Sequence, residues 1–323
     1  MSEDKKQKKE LSTEEWKEVL KGLAEVGCLY LVFTGGEPLL REDLSELCKY
    51  ATDLNFDIRI FTTGITAVAS HPPTPTGFGR AGRSQVTGRK LWDEIKELKN
   101  TNVSKIEISF YGRKEIHNKI TRNPDSFDRT LDFAKKLKDE GFRVKLKTSL
   151  MKENFMEMEY IKTFALKNGF EYSFDPVIAP RNDGDQSNLK HRLSLKQIRE
   201  LFDSFPPSPY HLITLSPEIS PDFFCGAGKN LVGINPYGEV YSCIQIPVSC
   251  GNLRKNAFAQ IWKNSEWLQK WREMSIRDVK ICSACSLSNK CNRCPGLALL
   301  EDGGLLGPSK LACNLTKNTP QKM

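Results

Sequence analysis

The sequence predicts an α/β protein, a parallel sheet covered by helices, followed by a small cysteine-rich domain. Three observations predict it. Apolar strand segments alternate with helix-period segments in units of about 30 residues, the size of a strand plus its crossover helix. Three of those strand segments end in short polar, glycine-containing stretches, "TGGE", "TTG" and "SFYG". Of ten cysteines, only Cys28 and Cys48 precede residue 225, and the last 99 residues hold the other eight.

The elements follow in order. Ser12 opens "STEE", a capping box with Glu15, and Trp16, Val19, Leu20 and Leu23 share one side of a helix running to about Val26. The strand "CLYLVF" comes next, then a helix over 42–54 with Leu44, Leu47, Ala51 and Leu54 at helical spacing. Strand "DIRIFTT", a helix at 91–99, strand "KIEISFY", and a helix from Ser126 carrying Phe127, Leu131, Ala134 and Leu137 continue the alternation. Strand "RVKLKTSL", a helix ending near Asn168 with Gly169 as its C-cap, strand "EYSFDPV" and a last helix at 195–204 complete it. Continuous apolar strands in βα units suit either a doubly wound sheet or a partial barrel. In both, ligands bind beyond the carboxyl ends of the strands, where the three glycine-containing stretches fall.

Composition narrows the function classes. The net charge is +8, from 48 Lys and Arg against 40 Asp and Glu. Most lysines are interleaved with glutamates, as in "LWDEIKELK", which reads as a solvated helix face and not as a nucleic-acid surface. The leading "MSEDKKQKKE" has no apolar signal core, and no run is long enough to span a membrane, so a cytoplasmic protein is expected.

Residues 66–90 are rich in Pro, Gly and Arg without apolar period and read as an irregular surface loop. Its "GFGRAG" matches a dinucleotide fingerprint only formally, because no strand precedes it. The domain boundary is expected near 205–220, giving one domain over 1–210 and a cysteine-rich one over 211–323.

In a reducing cytosol a dense thiol set points to metal rather than disulfides. Cys225 is followed by twelve residues, Gly238, "EVYS" and Cys243; later Cys282, Cys285, Cys291 and Cys294 form C-x2-C-x5-C-x2-C, and Cys313 comes last. Zinc also favours paired C-x2-C knuckles, but its pairs usually stand a dozen or more residues apart. Seven thiolates, or eight with Cys250, match two four-ligand iron–sulfur centres.

On these residues the tail resembles the SPASM region of radical S-adenosylmethionine enzymes, whose pattern is C-x9-15-G-x4-C, a gap, C-x2-C-x5-C-x3-C, a gap, and C. The first element fits, while "CNRC" is one residue short. The resemblance implies one auxiliary [4Fe–4S] cluster on Cys282, Cys285, Cys291 and Cys313, and a second on Cys225, Cys243 and Cys294. The fourth ligand of the second is Cys250 or an open iron.

"TGGEP" is similar to the superfamily's GGE motif, implying that Gly35, Gly36, Glu37 and Pro38 bind S-adenosylmethionine, with the glutamate on its amino group. "SFYG" resembles the strand-end serine motif and implies Ser109 as a further cofactor contact. "FTTG" lacks the asparagine of the usual TNG, leaving Thr62 and Thr63 as weaker matches. "EIHNKITR" is similar to HD-x-x-[RT]-G but departs from it at Asn118 and Arg122.

By resemblance, then, the fold is a partial (β/α)6 TIM-like barrel with a SPASM extension. The implied activity is modification of a peptide or protein side chain through hydrogen abstraction by a 5′-deoxyadenosyl radical. The implied partners are the peptide or protein substrate and an electron donor such as flavodoxin or ferredoxin, with neither nucleic acid nor membrane.

The superfamily's chemistry needs C-x3-C-x2-C, and the sequence holds none. The family's first strand and cluster loop are therefore expected to be missing, and this chain is expected not to cleave S-adenosylmethionine reductively. The alternative reading is a truncated, non-catalytic iron–sulfur or zinc-binding module that binds peptides.

Overall fold

The computed structural model describes residues 9–64, 88–204 and 225–318. Most of the expected loop at 66–90 and the whole expected boundary at 205–220 lie outside the described residues. The chain divides into two compact units, one of residues 13–149 and 156–174, the other of 1–12, 150–155 and 175–323.

The first unit holds helix α1 (Thr13–Glu25), strand β1 (Tyr30–Phe33), α2 (Leu44–Asp53), β2 (Asp57–Thr62), α3 (Gly88–Glu97), β3 (Val103–Ser109), α4 (Lys114–Thr121), α5 (Ser126–Asp139), β4 (Val144–Ser149), α6 (Met158–Lys167) and β5 (Glu171–Asp175). The five strands form one sheet in sequence order, and β1 to β4 pair in parallel. Sequential parallel strands with helices between them are the expected α/β pattern.

The strands are not apolar throughout, however. One face buries Ile58 and Ile60 of β2, Ile106 and Ile108 of β3, and Val144 and Leu146 of β4. The other face carries Arg59, Lys105, Glu107, Lys145 and Lys147, with Arg59 opposite Lys105 and Glu107 opposite Lys145 in the register. Glu107 is buried there with Lys147 at 3.9 Å, and Lys105 reaches Glu171 at 2.5 Å. Period-2 alternation puts all of these charges on one side.

Helix seating explains several local choices. Thr13 donates to Asp43 at 2.6 Å and Lys17 pairs with Glu46 at 2.5 Å, tying α1 to α2. Cys48 lies fully buried on α2 beside Leu47 and Ala51, and burial pushes its thiol up to about 12, so it is a packed core residue. Gly169, the expected cap, takes φ +65° after α6.

Helix α4 has no apolar period that would reveal it. The two residues that depart from the family motif there have local duties. Asn118 Oδ1 accepts from Phe127 N at 2.9 Å and Ser126 Oγ at 3.0 Å, fixing the start of α5, and Arg122 is the left-handed cap of α4 at φ +55°.

The second unit contains α7 (Leu195–Ser204), an antiparallel sheet of β6 (Gly233–Ile234), β7 (Glu239–Tyr241) and β8 (Ser249–Asn252), and helices α8 (Phe258–Asn264), α9 (Glu266–Glu273), α10 (Lys280–Ser283), α11 (Pro295–Asp302) and α12 (Lys310–Asn318). Its core is Ala227, Ile246, Trp271 and Val279, with Cys225, Cys243 and Cys282 packed against it. Trp271 donates its indole N–H to Ala227 O at 2.5 Å, and Arg272 lies over Trp262 at 4.2 Å. Residues 9–11 belong here too: Arg254 holds the carbonyls of Lys9 and Glu10, and Leu11 N bonds Pro236 O at 2.7 Å. Among the described residues no helix is long and apolar enough to cross a membrane.

One buried group sets a pH dependence. His117 on α4 is fully buried among Phe110, Tyr111 and Phe127, and its Nδ1 accepts from Tyr111 N at 3.2 Å, while among the described residues its Nε2 has no partner. Burial drops its pKa to about 4, so the folded state keeps it neutral where the unfolded chain would be protonated. That contribution is present above pH 6.5 and is lost as pH falls toward 4, amounting to roughly 3 kcal/mol at about 1.4 kcal/mol per pKa unit. Denaturant unfolding at pH 7.5 and 4.5 should therefore show a smaller acid loss for His117→Asn than for wild type; equal losses would contradict this assignment.

Candidate functional site

The candidate residues fall in both units. In the first, β1 and β2 are neighbours in register, so the stretches that follow them emerge side by side. Gly35 takes φ +124°, a conformation that side chains resist. Gly36 has no such φ, and a Cβ built on either glycine meets nothing within 4 Å. Among the described residues nothing crowds the backbone there.

Glu37 then turns back toward β2. Its Oε1 accepts from Thr62 Oγ1 at 2.6 Å and Leu39 N at 3.3 Å, and its Oε2 from Thr63 N at 2.9 Å and Thr63 Oγ1 at 2.7 Å. The carboxylate caps a short 3-10 turn at Pro38–Leu40, in which Pro38 is buried. Thr62 and Thr63 thus grip Glu37, a role their motif does not announce. Two of the four donors are hydroxyl rotors, which can turn away for a stronger partner.

Ser109 ends β3, and its hydroxyl hydrogen-bonds the Tyr111 phenol, whose pKa burial raises. Gly112 follows at φ +132°, where a Cβ would fall 2.5 Å from Glu157 Cγ. Glu157 in turn accepts from Arg113 N at 2.7 Å and Arg113 Nη1 at 2.9 Å, clamping this strand end.

In the second unit all eight cysteines are free, and they sort into groups. Burial is the main cause that raises the Cys282 and Cys291 thiols; Arg293 opposes it at Cys282 and a Thr316 hydrogen bond at Cys291, while Cys285 and Cys313 lie near enough to both to add to it. Cys294 interacts with Cys225 and Cys243 in the same way, with burial again the larger cause. Cys291 and Cys294, neighbours in the sequence array, have different sulfurs beside them, with Arg293 near both.

Several sulfurs accept backbone N–H groups: Cys225 from Ala227 at 3.4 Å, Cys243 from Gln245 at 3.5 Å, and Cys294 from Leu297 at 3.5 Å as N-cap of α11. Such donors favour a thiolate over a thiol. Arg293 is a charged neighbour of Cys282, Cys291, Cys294 and Cys225, and it also donates to the carbonyls of Leu305 and Gly307. Cys250 is elsewhere, on β8, where burial raises its thiol to about 11. Among the described residues, no three Cys, His, Asp or Glu side chains stand at the spacing of a single ion's ligands.

Comparison with known proteins places the chain in a family. Residues 2–165 match the radical SAM superfamily, and residues 225–286 match an iron–sulfur cluster-binding domain, SPASM. An AdoMet-dependent heme synthase of Methanosarcina barkeri is 24% identical, over 92% of this chain and 86% of its own length. A PqqA peptide cyclase of Bradyrhizobium diazoefficiens is 25% identical, over 95% and 79% respectively. Streptococcus suis SuiB bound to S-adenosylmethionine shares the fold at a TM-score of 0.68 and 15% identity, with 94% of this chain and 70% of that one covered. The cofactors that go with these two domains are iron–sulfur clusters and S-adenosylmethionine. The chain belongs to the radical SAM superfamily and carries a C-terminal SPASM domain.

Proposed function

We propose that this chain binds S-adenosylmethionine at Gly35, Gly36, Glu37 and Pro38, with Thr62 and Ser109 alongside. Two auxiliary [4Fe–4S] clusters sit on Cys282, Cys285, Cys291 and Cys313, and on Cys225, Cys243 and Cys294. Its substrate is a peptide or protein side chain. The observation that carries this reading is a set of thiols packed on the core of the second unit, three of whose sulfurs accept backbone N–H groups.

The donor chemistry fits the clusters. Soft thiolates with N–H donors on their sulfurs suit iron–sulfur ligation, and a cluster needs its ligands farther apart than one zinc ion does. The strand end fits the cofactor's ammonium group. Among the described residues nothing demands glycine at 36, yet a side chain there would occupy space that a ligand approaching the backbone needs. Glu37 offers a carboxylate oriented by Thr62 and Thr63. When bound with a reduced cluster, S-adenosylmethionine supplies radical chemistry, but no C-x3-C-x2-C lies in residues 1–323 to hold that third cluster. These residues do not fit it.

Peptide substrates are supported by relatives such as the PqqA peptide cyclase and the mycofactocin maturase MftC of Mycolicibacterium smegmatis, 24% identical over 90% of this chain and 71% of its own length. A barrel portion over 1–210, an iron–sulfur domain over 211–323, an electron donor such as flavodoxin or ferredoxin, and a cytoplasmic location complete the proposal.

Anaerobic reconstitution with iron and sulfide should give brown protein with about eight of each per chain, and Cys285→Ala should lose about four. Colourless protein that takes up only zinc would overturn the reading. Equilibrium dialysis should show S-adenosylmethionine binding weakened about tenfold or more by Glu37→Gln, the loss of one charge-assisted hydrogen bond, and less by Thr63→Val. Unchanged affinity in Glu37→Gln would remove that residue from the site. With a strong reductant, the purified 323-residue chain should release no 5′-deoxyadenosine; clear product would mean that other residues hold the third cluster.

A further inference from the structure

The charged face of the first unit's sheet has no role in the site described above, yet it reaches the strand ends that form it. In the register Lys147 stands opposite Ser109, and Lys145 opposite Glu107. Alternation puts all four on the side away from the buried isoleucines, with Lys145 about 7 Å further down β4 than Lys147. Arg59 and Lys105, opposite each other, continue the same side one level lower. The cations thus run in file from the rim down the sheet.

The carboxylates on this side do not account for the lysines. Glu107 is buried and calls for a cation. Lys147 stands 3.9 Å from it, too far for a hydrogen bond, and its ammonium lies over the Phe61 ring at 4.3 Å. Glu171 is shared between Lys105 at 2.5 Å and Arg143 at 2.8 Å, and Asp57, at the far end of β2, accepts from Ser104 at 2.6 Å. Among the described residues neither the Lys145 nor the Lys147 ammonium donates a hydrogen bond, and Lys145 has no ion pair. Burial lowers the Lys145 pKa; Glu107 works against that shift, and the charges of Lys105 and Lys147 add to it. Lys145 is half-buried and the Lys147 side chain is 37% exposed, so both are within reach of a ligand.

We infer that this file of cations seats acidic side chains of a peptide, with Lys147 and Lys145 each donating to a carboxylate of the substrate. The inference rests on the reading above that a peptide meets S-adenosylmethionine at these strand ends, since Ser109 is the neighbour of Lys147 in the register. Two cations about 7 Å apart along one strand match acidic side chains at alternate positions of an extended peptide, which have the same spacing. A chain end brings only one carboxylate. Charge-assisted bonds from partly buried ammonium groups then give the site its selectivity against neutral side chains.

The test uses the full chain, reconstituted anaerobically with iron and sulfide, in the presence of S-adenosylmethionine. The probes are dansylated, C-terminally amidated Gly-Glu-Gly-Glu-Gly and Gly-Gln-Gly-Gln-Gly, read by fluorescence anisotropy. Wild type should bind the Glu probe about tenfold or more tighter than the Gln probe, a ratio that shrinks with added salt. Lys145→Met and Lys147→Met should each bring the ratio toward one, and Lys147→Arg, which keeps the charge, should retain most of it. Lys135→Met, which removes an exposed charge on α5, should leave it unchanged. Equal or no binding of the two probes by wild type, a ratio kept when both lysines are replaced, or an equal loss in Lys135→Met would overturn the inference. So would a Gln probe with a free carboxyl end that binds as tightly as the Glu probe. Glu37→Gln separates the two readings: unchanged S-adenosylmethionine affinity there, with the Glu ratio intact, removes the cofactor assignment and leaves the acidic seat standing. Normal S-adenosylmethionine binding by wild type without a Glu ratio removes the seat alone.

Discussion

Thiolates gathered into one small volume repel each other, and burial disfavours the charge of each. The second unit is organised around that conflict. Burial raises the pKa values of Cys282, Cys291, Cys225 and Cys294, neighbouring sulfurs add to it, and Arg293 and hydrogen-bond donors work against it, so these groups favour neutral thiols. A cationic iron–sulfur core resolves the conflict by replacing protons with metal, which couples loading to folding. The Trp271 and Val279 core then fixes where the sulfur-bearing loops attach, and the N-cap at Cys294 and the turn at Cys243 aim individual sulfurs.

The first unit solves a milder version of the same problem. A carboxylate at the rim of a parallel sheet must be oriented before any ligand arrives. Glu37 does so by accepting from a neighbouring strand's end, which is available only because β1 and β2 run in parallel and in register. Glycines at 35 and 36 keep the approach to it clear. The sheet's charged second face, with Glu107 buried among lysines, adds an electrostatic surface that ordinary helix-covered strands lack.

Much of the first unit was readable from residue pattern alone. Strands near 30–33, 57–62, 103–109, 144–149 and 171–175 and most of their helices lie where apolar period put them. Helix α4 was not readable, because its signal is one buried histidine and a capping asparagine instead of an apolar stripe. The charged sheet face was misread as continuous apolar strand, since lysines in "RVKLKTSL" occupy alternate positions that a short run does not distinguish from solvent-facing ones. Strands of two to four residues such as β6 and β7 are too short to carry a period at all. The sorting of the cysteines came from family resemblance; spacing alone would pair Cys291 with Cys294.

Arg293 sits one residue before Cys294 and two after Cys291, with sulfurs of both groups as its charged neighbours. A single fixed cation thus belongs to two anionic neighbourhoods at once. Whatever negative charge either centre acquires is felt by the same guanidinium, so the electrochemistry of the two cannot be tuned at this position one at a time. Swapping this segment between relatives would carry a joint setting for both centres along with it.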